Sequence, residues 1–218
     1  RRCYADASVW DGFDPALVTL CSPDAQAFRP PEEKLNVLQV RLPTNFKSAP
    51  FASDAHTAIL RDLAAGIDAA RFDADGEKLD LPVKLRVHDS LFVPLAKWSM
   101  LLAGNYRCIR DDDVISIRDA VNADLAAARA VYEWVAALCM RLGAREQDLV
   151  PFEKYAAAAQ MLQSPSSAAR ALANGATDIE RIDQLVQALA ARHGMHSDEV
   201  DRIVSRVDAW LARNRQKR

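Results

Sequence analysis

The chain has 218 residues, half of them hydrophobic and 27% charged, with a formal net charge of −2. This composition allows one large domain or a domain with an appendage, and the small net charge gives no reason to expect nucleic acid or an acidic membrane as the main partner. No run of about 18 uncharged apolar residues is present to span a membrane. The four cysteines are widely spaced and form no CxxC pattern. This spacing argues against a zinc site or a disulfide framework, so we expect a cytoplasmic protein without a metal.

The first 52 residues predict a small β segment. Three short runs contain β-branched or alternating apolar residues and are separated by turn-forming stretches: "CYADASVW" (3–10), "ALVTLCS" (16–22) and "LNVLQVRL" (35–42). Because three short strands do not make a stable sheet alone, we interpret residues 1–52 as the remnant or tail of a nucleotide-binding domain.

Helical periodicity begins at residue 53, where "SDAHTAILRDLAAGIDAARF" (53–72) opens with Ser53 or Asp54 as a helix cap. Further helices are expected within an Ala- and Leu-rich region, over 116–143, 151–162, 164–175, 178–194 and 197–214. Three of these helices end at a glycine, at positions 143, 175 and 194. The predicted fold class is therefore mainly α, a helical domain over 53–218 preceded by the small β segment.

One apolar stretch, "PLAKWSMLLAGNYRCI" (94–109), carries a lysine and an asparagine eight residues apart. On a helix, Lys97, Leu101 and Asn105 fall on one stripe. Two interpretations remain open at this point. The lysine can extend along a surface with its charge in water, or both polar groups can line a cleft and meet a substrate.

A second stretch, "SPSSAARALANGATDIERIDQLVQALAARHGM" (164–195), combines a serine cluster, a short helix, a turn and another helix. Read alone, its serines are helix caps, and Asp178 caps the following helix. The other patterns are weaker: His193 and His196 suit a helix end better than a metal site, and "RDDDV" (110–114) favours the start of the following helix. No glycine-rich nucleotide motif or hydrolase motif is present.

In this order, the two stretches resemble the C-terminal half of the ketopantoate reductase family. That family has a helix of the type W-x-K-x-x-x-N-x-x-x-N, followed by N-x-S-S-M-x-x-D, a T-E-I-D element and a helix ending near A-x-x-H-G. Lys97 and Asn105 match the first motif, and the second is matched by Ser166, Ser167, Thr177, Asp178 and Ile179. The resemblance extends over about residues 35–210.

The resemblance implies a helical domain like the C-terminal domain of 6-phosphogluconate dehydrogenase, in an enzyme that reduces a 2-keto acid with NADPH. Lys97 would be the catalytic general acid, and four residues would bind the substrate: Asn105, Ser166, Ser167 and Asp178. NADP would be held by an N-terminal Rossmann domain that these residues do not contain, and the enzyme would be a homodimer. Because the chain starts with "RRCYAD" rather than Met, we expect it to be part of a longer protein, inactive alone.

Two positions depart from the family pattern. Leu101 stands where the family has its first asparagine, and Ser164 stands where an asparagine precedes the serine pair. An isobutyl group in place of an amide makes the wall of the site apolar, which favours a different 2-keto or 3-keto compound. Two alternatives are a non-catalytic helical interaction module that kept the scaffold, and a reductase of an opine or a sugar acid.

Overall fold

Two compact units make up the chain, one spanning Ser8–Leu95 and the other beginning at Ala96. The computed structural model describes residues 6–24, 27–28, 39–40 and 44–217. The boundary lies well beyond residue 52, where the sequence suggested it, because a strand formed by residues 83–87 pairs with the first unit.

The first unit contains the strands, which are short. Within the described residues they are β1 Cys21–Asp24, β2 Ala27–Phe28, β3 Gln39–Val40, β4 Thr44–Ser48, β5 Arg71–Ala74, β6 Glu77–Asp80 and β7 Val83–Val87. β4 lies in the middle of a three-stranded sheet, antiparallel to β1 and parallel to β7. β2 pairs with β3 and β5 pairs with β6, both in antiparallel fashion.

Helix α1, Asp54–Ala69, connects β4 to the hairpin before β7 and packs against β7. A crossover of this kind is needed because parallel strands cannot be joined by a tight turn. The Ser53 hydroxyl accepts a hydrogen bond from the His56 N–H at 3.4 Å, which confirms the predicted cap. Asp75 and Gly76 form the β5–β6 turn with positive φ angles of 53° and 91°, as a tight hairpin requires.

The structure agrees with the three strands predicted before residue 52 to different extents. Within the first run, Ser8–Trp10 is a 3₁₀ helix, so the strand prediction is wrong there, and residues 3–5 lie outside the described residues. The second run holds the 3₁₀ helix Pro15–Leu17 and then the start of β1. Of the third run, the described part is β3.

The second unit is helical, which confirms the mainly α class. A short helix, α2 Phe92–Leu95, lies at the end of the first unit. The helices of the second unit are α3 Lys97–Met100, continued by a π-helix Leu101–Asn105, then α4 Ile117–Asn122, α5 Leu125–Arg141, α6 Phe152–Ala159, α7 Ser167–Ala173, α8 Ile182–Arg192 and α9 Asp198–Gln216. The narrower assignment to a 6-phosphogluconate dehydrogenase C-terminal domain stays a prediction.

Local side chains explain where these helices begin and end. The helix predicted over 116–143 is two helices, because the Asp124 carboxylate accepts the Ala127 N–H at 2.9 Å and starts α5 anew. The serines 116, 166 and 197 cap α4, α7 and α9 with their hydroxyls. Glycines 143, 175 and 194 have positive φ after helix ends, as predicted. Among the described residues, no helix has both the length and the apolar character needed to cross a membrane.

Candidate functional site

The stripe predicted from the sequence lies on the helix formed by α3 and the π-helix. Lys97, Leu101 and Asn105 are half-buried. Most other residues of this helix face the core and are buried: Trp98, Ser99, Leu102, Ala103 and Gly104. The three stripe residues therefore remain partly accessible to solvent on a helix that is otherwise mostly buried.

The π-helix changes the alignment of the stripe. The Tyr106 N–H donates to the Leu101 carbonyl at 2.9 Å, five residues earlier rather than four. On a regular α-helix, two residues eight positions apart differ by about 80° around the axis. A π turn uses more residues per turn, so each residue rotates less and this angle shrinks. The wide turn thus brings Asn105 closer to the line of Lys97.

A tyrosine on α6 contacts the start of the wide turn. The Tyr155 hydroxyl donates to the Met100 carbonyl at 3.0 Å. A Cβ added at Gly104 would lie 1.9 Å from this hydroxyl oxygen, so only a glycine leaves room for the ring. Burial raises the pKa of Tyr155, and the ring stacks on Tyr132 with centroids 5.4 Å apart. The hydroxyl therefore stays protonated and remains a donor.

A serine contacts the end of the wide turn. The N–H of Ile109, the ordinary helical partner of the Asn105 carbonyl, donates to Tyr106 instead. The Ser166 hydroxyl donates to the Asn105 carbonyl at 2.7 Å and accepts the Ala169 N–H at 3.1 Å. The structure thus brings Asn105 and Ser166 together. Because Ser166 is 2% exposed and its proton is already donated, it meets a substrate only by giving up this bond.

The other two predicted substrate-binding residues lie on exposed surface. Ser167 is the exposed first residue of α7. The Asp178 carboxylate is 73% exposed and pairs with Arg215 at 3.0 Å. Asp178 does not cap the next helix, because α8 begins only at Ile182, so the capping interpretation is wrong.

The sequence did not single out Tyr106, which links the stripe helix to the 177–181 turn. Its hydroxyl donates to the Glu180 carbonyl at 2.5 Å and accepts the Ile182 N–H at 3.1 Å. Burial raises its pKa. Tyr106 and Tyr155 both lie in apolar runs that resemble ordinary core sequence, so no local signal marks their hydroxyl contacts.

Both units contain a cavity within the described residues. One, of about 460 Å³, is bounded by Trp134 of α5 and by the facing sides of α8 and α9. Another, of about 340 Å³, lies in the first unit between α1, Leu17 and Phe51. Neither cavity is lined by Lys97 or Asn105.

The weaker sequence motifs have structural partners. Of the acidic run, Asp111 and Asp112 pair with Arg206 and Arg213 of α9, at 3.0 and 3.4 Å. These exposed acidic side chains therefore pair with α9 rather than with the start of the next helix. Within the part of the chain that the structure describes, no three His, Cys, Asp or Glu side chains are grouped to hold a metal.

The β4–α1 connection does not fit a dinucleotide. Residues 49–53 include no glycine, and the backbone N–H groups of Phe51 and His56 donate to Thr57 and Ser53. A pyrophosphate is held by free N–H groups on a glycine-rich turn. A nicotinamide cofactor is therefore not held by this connection.

No family model matches the chain, and no curated protein matches it significantly. Among solved structures it is similar to the ternary structure of D-mandelate dehydrogenase with NADH and anilino(oxo)acetate, at a TM-score of 0.62 and 11% identity. The match covers 88% of this chain and 60% of the dehydrogenase chain. The chain thus shares a fold with that enzyme and spans about three fifths of its length.

Proposed function

We propose that this chain is the substrate-binding and dimerisation part of an NADP-dependent reductase of a 2-keto acid, of the ketopantoate reductase type. The observation that carries the proposal is the partly accessible stripe of Lys97 and Asn105 on a helix that is otherwise largely buried. The shared fold supports it, because D-mandelate dehydrogenase was solved with NADH and an oxoacetate. The proposal places the cofactor on an N-terminal Rossmann domain.

The chemistry of the stripe suits ketone reduction. Negative charge builds on the carbonyl oxygen as it is reduced, and an ammonium group can stabilise that charge and deliver a proton. Lys97 takes this role. The Asn105 amide can donate to a carboxylate without competing for the proton, and Leu101 between them gives the wall an apolar section that suits a substrate with an apolar side chain.

Three further residues are assigned to the proposed site. Ser167 and Asp178 are exposed and can contact the polar end of a substrate. Ser166 contributes mainly through the Asn105 backbone that it binds.

The experiment is a reductase assay on the polypeptide that carries the Rossmann domain. A panel of 2-keto acids with small, branched and aromatic side chains is tested with NADPH and with NADH, following loss of reduced-cofactor absorbance. We expect saturable turnover with at least one acid and a preference for NADPH. Absence of turnover with the whole panel would favour the alternative of a non-catalytic helical module, for which Leu101 is the supporting observation.

A further inference from the structure

The π turn on the stripe helix is held from outside at both of its ends. Tyr155 donates to the carbonyl of Met100, the residue before the turn, and Ser166 donates to the carbonyl of Asn105, its last residue. These two hydroxyls come from α6 and from the start of α7, at least 50 residues further along the chain. Both residues are buried, so the contacts are shielded from water.

Such external support is significant because a π turn is unfavourable by itself. π-helices are rare and occur as single wide turns, often at functional sites. A backbone carbonyl has two lone pairs, so the Met100 oxygen can accept a side-chain proton in addition to a helical one. The glycine at position 104 supports the same arrangement, since it lets the Tyr155 ring approach the helix backbone.

We propose that Tyr155 and Ser166 are positioning residues: their hydroxyls hold the two ends of the π turn and so keep Asn105 aligned with Lys97. This inference rests on the proposed function for its consequence, because alignment with Lys97 has an effect on turnover only if both residues meet a substrate. The geometry of the turn itself can be tested without any substrate.

Matched controls exist for both hydroxyls. Tyr132 stacks on Tyr155 and donates its own hydroxyl to the Val150 carbonyl at 2.7 Å, away from the π turn. Ser197 caps α9 as Ser166 caps α7. Tyr132→Phe therefore removes a donated tyrosine bond like that of Tyr155, and Ser197→Ala removes a helix-capping bond like the one that Ser166 accepts; neither bond involves the stripe helix.

The first measurement is amide hydrogen exchange and NMR of the 218-residue chain. In Tyr155→Phe and Ser166→Ala we expect the Tyr106 amide, which forms the wide-turn bond, to exchange roughly fivefold faster or more, as loss of one buried hydrogen bond predicts. The side-chain NH₂ signals of Asn105 should move, whereas the two control variants leave both readouts unchanged. Unchanged Tyr106 exchange and unchanged Asn105 signals in both test variants would overturn the proposal.

The second measurement is turnover in the reductase assay. We expect kcat to fall about tenfold or more in Tyr155→Phe with a smaller change in KM, since small misplacements of a reacting group slow the chemical step. Tyr132→Phe should keep kcat within about twofold. Equal kcat losses in the two variants would mean that Tyr155 acts only on stability and would overturn the positioning role. If no 2-keto acid is reduced by the unaltered enzyme, the proposed function fails, and the exchange result alone decides whether the hydroxyls hold the turn.

Discussion

Gly104 lies where the stripe helix and the ring of Tyr155 come closest. A Cβ there would be 1.9 Å from the Tyr155 oxygen and 3.2 Å from a Val121 methyl. We expect Gly104→Ala to lower the free energy of unfolding by about 2 to 3 kcal/mol, because buried neighbours must shift to accept the methyl group. Urea denaturation measures this.

Two further variants make the Gly104 test specific. Gly66 on α1 has nothing within 4 Å of an added Cβ, so Gly66→Ala should be stabilising by about 0.5 to 1 kcal/mol. Adding Tyr155→Phe to Gly104→Ala removes the clashing oxygen and should recover part of the loss. If Gly104→Ala were as stable as the unaltered chain, the close approach of Tyr155 would be incorrect.

The buried tyrosines, together with the buried Cys139 thiol, whose pKa burial raises to about 11, determine how the stability of the protein changes at high pH. Burial raises the pKa of Tyr132 from 10.0 to about 12, and raises the pKa of Tyr106 and Tyr155 as well. Above pH 10 the unfolded chain has lost these protons while the folded chain retains them, so stability falls as pH rises. Unfolding in urea at several pH values from 8 to 11.5 should show a plateau and then a decline. Tyr106→Phe should make the decline shallower, and an identical slope in that variant would contradict the account.

At the scale of elements, α9 is tied to the end of α7 by one buried amide. The Asn214 side chain is 6% exposed and donates to the carbonyls of Leu172 and Ala176, at 2.8 and 2.9 Å. Asn214→Ala leaves both carbonyls without this donor and should cost about 2 to 3 kcal/mol. Asn122 also donates to a carbonyl but in an exposed setting, so Asn122→Ala should cost less than about 0.5 kcal/mol. Equal costs in a thermal or urea melt would show that Asn214 is not a buried link.

Helix ends were the part of the fold that the sequence predicted best. A cap is made by a side chain and an N–H three residues away, so Ser53 and Ser197 could be recognised from local sequence alone. The same local signal, a capping Asp124, separates α4 from α5, although the periodic run across both helices predicts one continuous helix. Gly76 after Asp75 is likewise a hairpin signal that lies within the local sequence.

Contacts between segments that are distant in the chain could not be predicted from local sequence patterns. β4 is largely polar and finds its parallel partner β7 only after α1 and a hairpin. Asp178 was interpreted as a cap, but its carboxylate pairs with Arg215, 37 residues later. For the candidate site, the sequence predicted the stripe, and the structure added the π turn and the two hydroxyls that hold it, which depend on packing between helices.

At the scale of the whole molecule, the proposed homodimer can be tested through α5. Leu125 and Met140 near the two ends of this helix are 44% and 47% exposed, and we expect them to belong to one apolar contact patch, because contiguous exposed apolar surface marks interaction sites. We expect sedimentation velocity at tens of micromolar to show a dimer, and Met140→Glu to shift it toward monomer. Met161 is 78% exposed and lies outside α5, so Met161→Glu makes the same change away from the proposed contact helix and should leave the dimer intact. If the unaltered chain sediments as a monomer, the proposed dimerisation role is wrong.

Lys97 is proposed to meet the substrate, and the turnover number of a lysine variant measures whether it does. In a polypeptide that carries the proposed Rossmann domain, Lys97→Ala should lower kcat for the preferred 2-keto acid by about 10²-fold or more, the low end of what a positioned acid contributes. Lys154 is an exposed lysine on α6 that the proposed site does not include, and Lys154→Ala should keep full turnover. Full turnover in Lys97→Ala as well would contradict the account and leave the stripe as part of a helical scaffold.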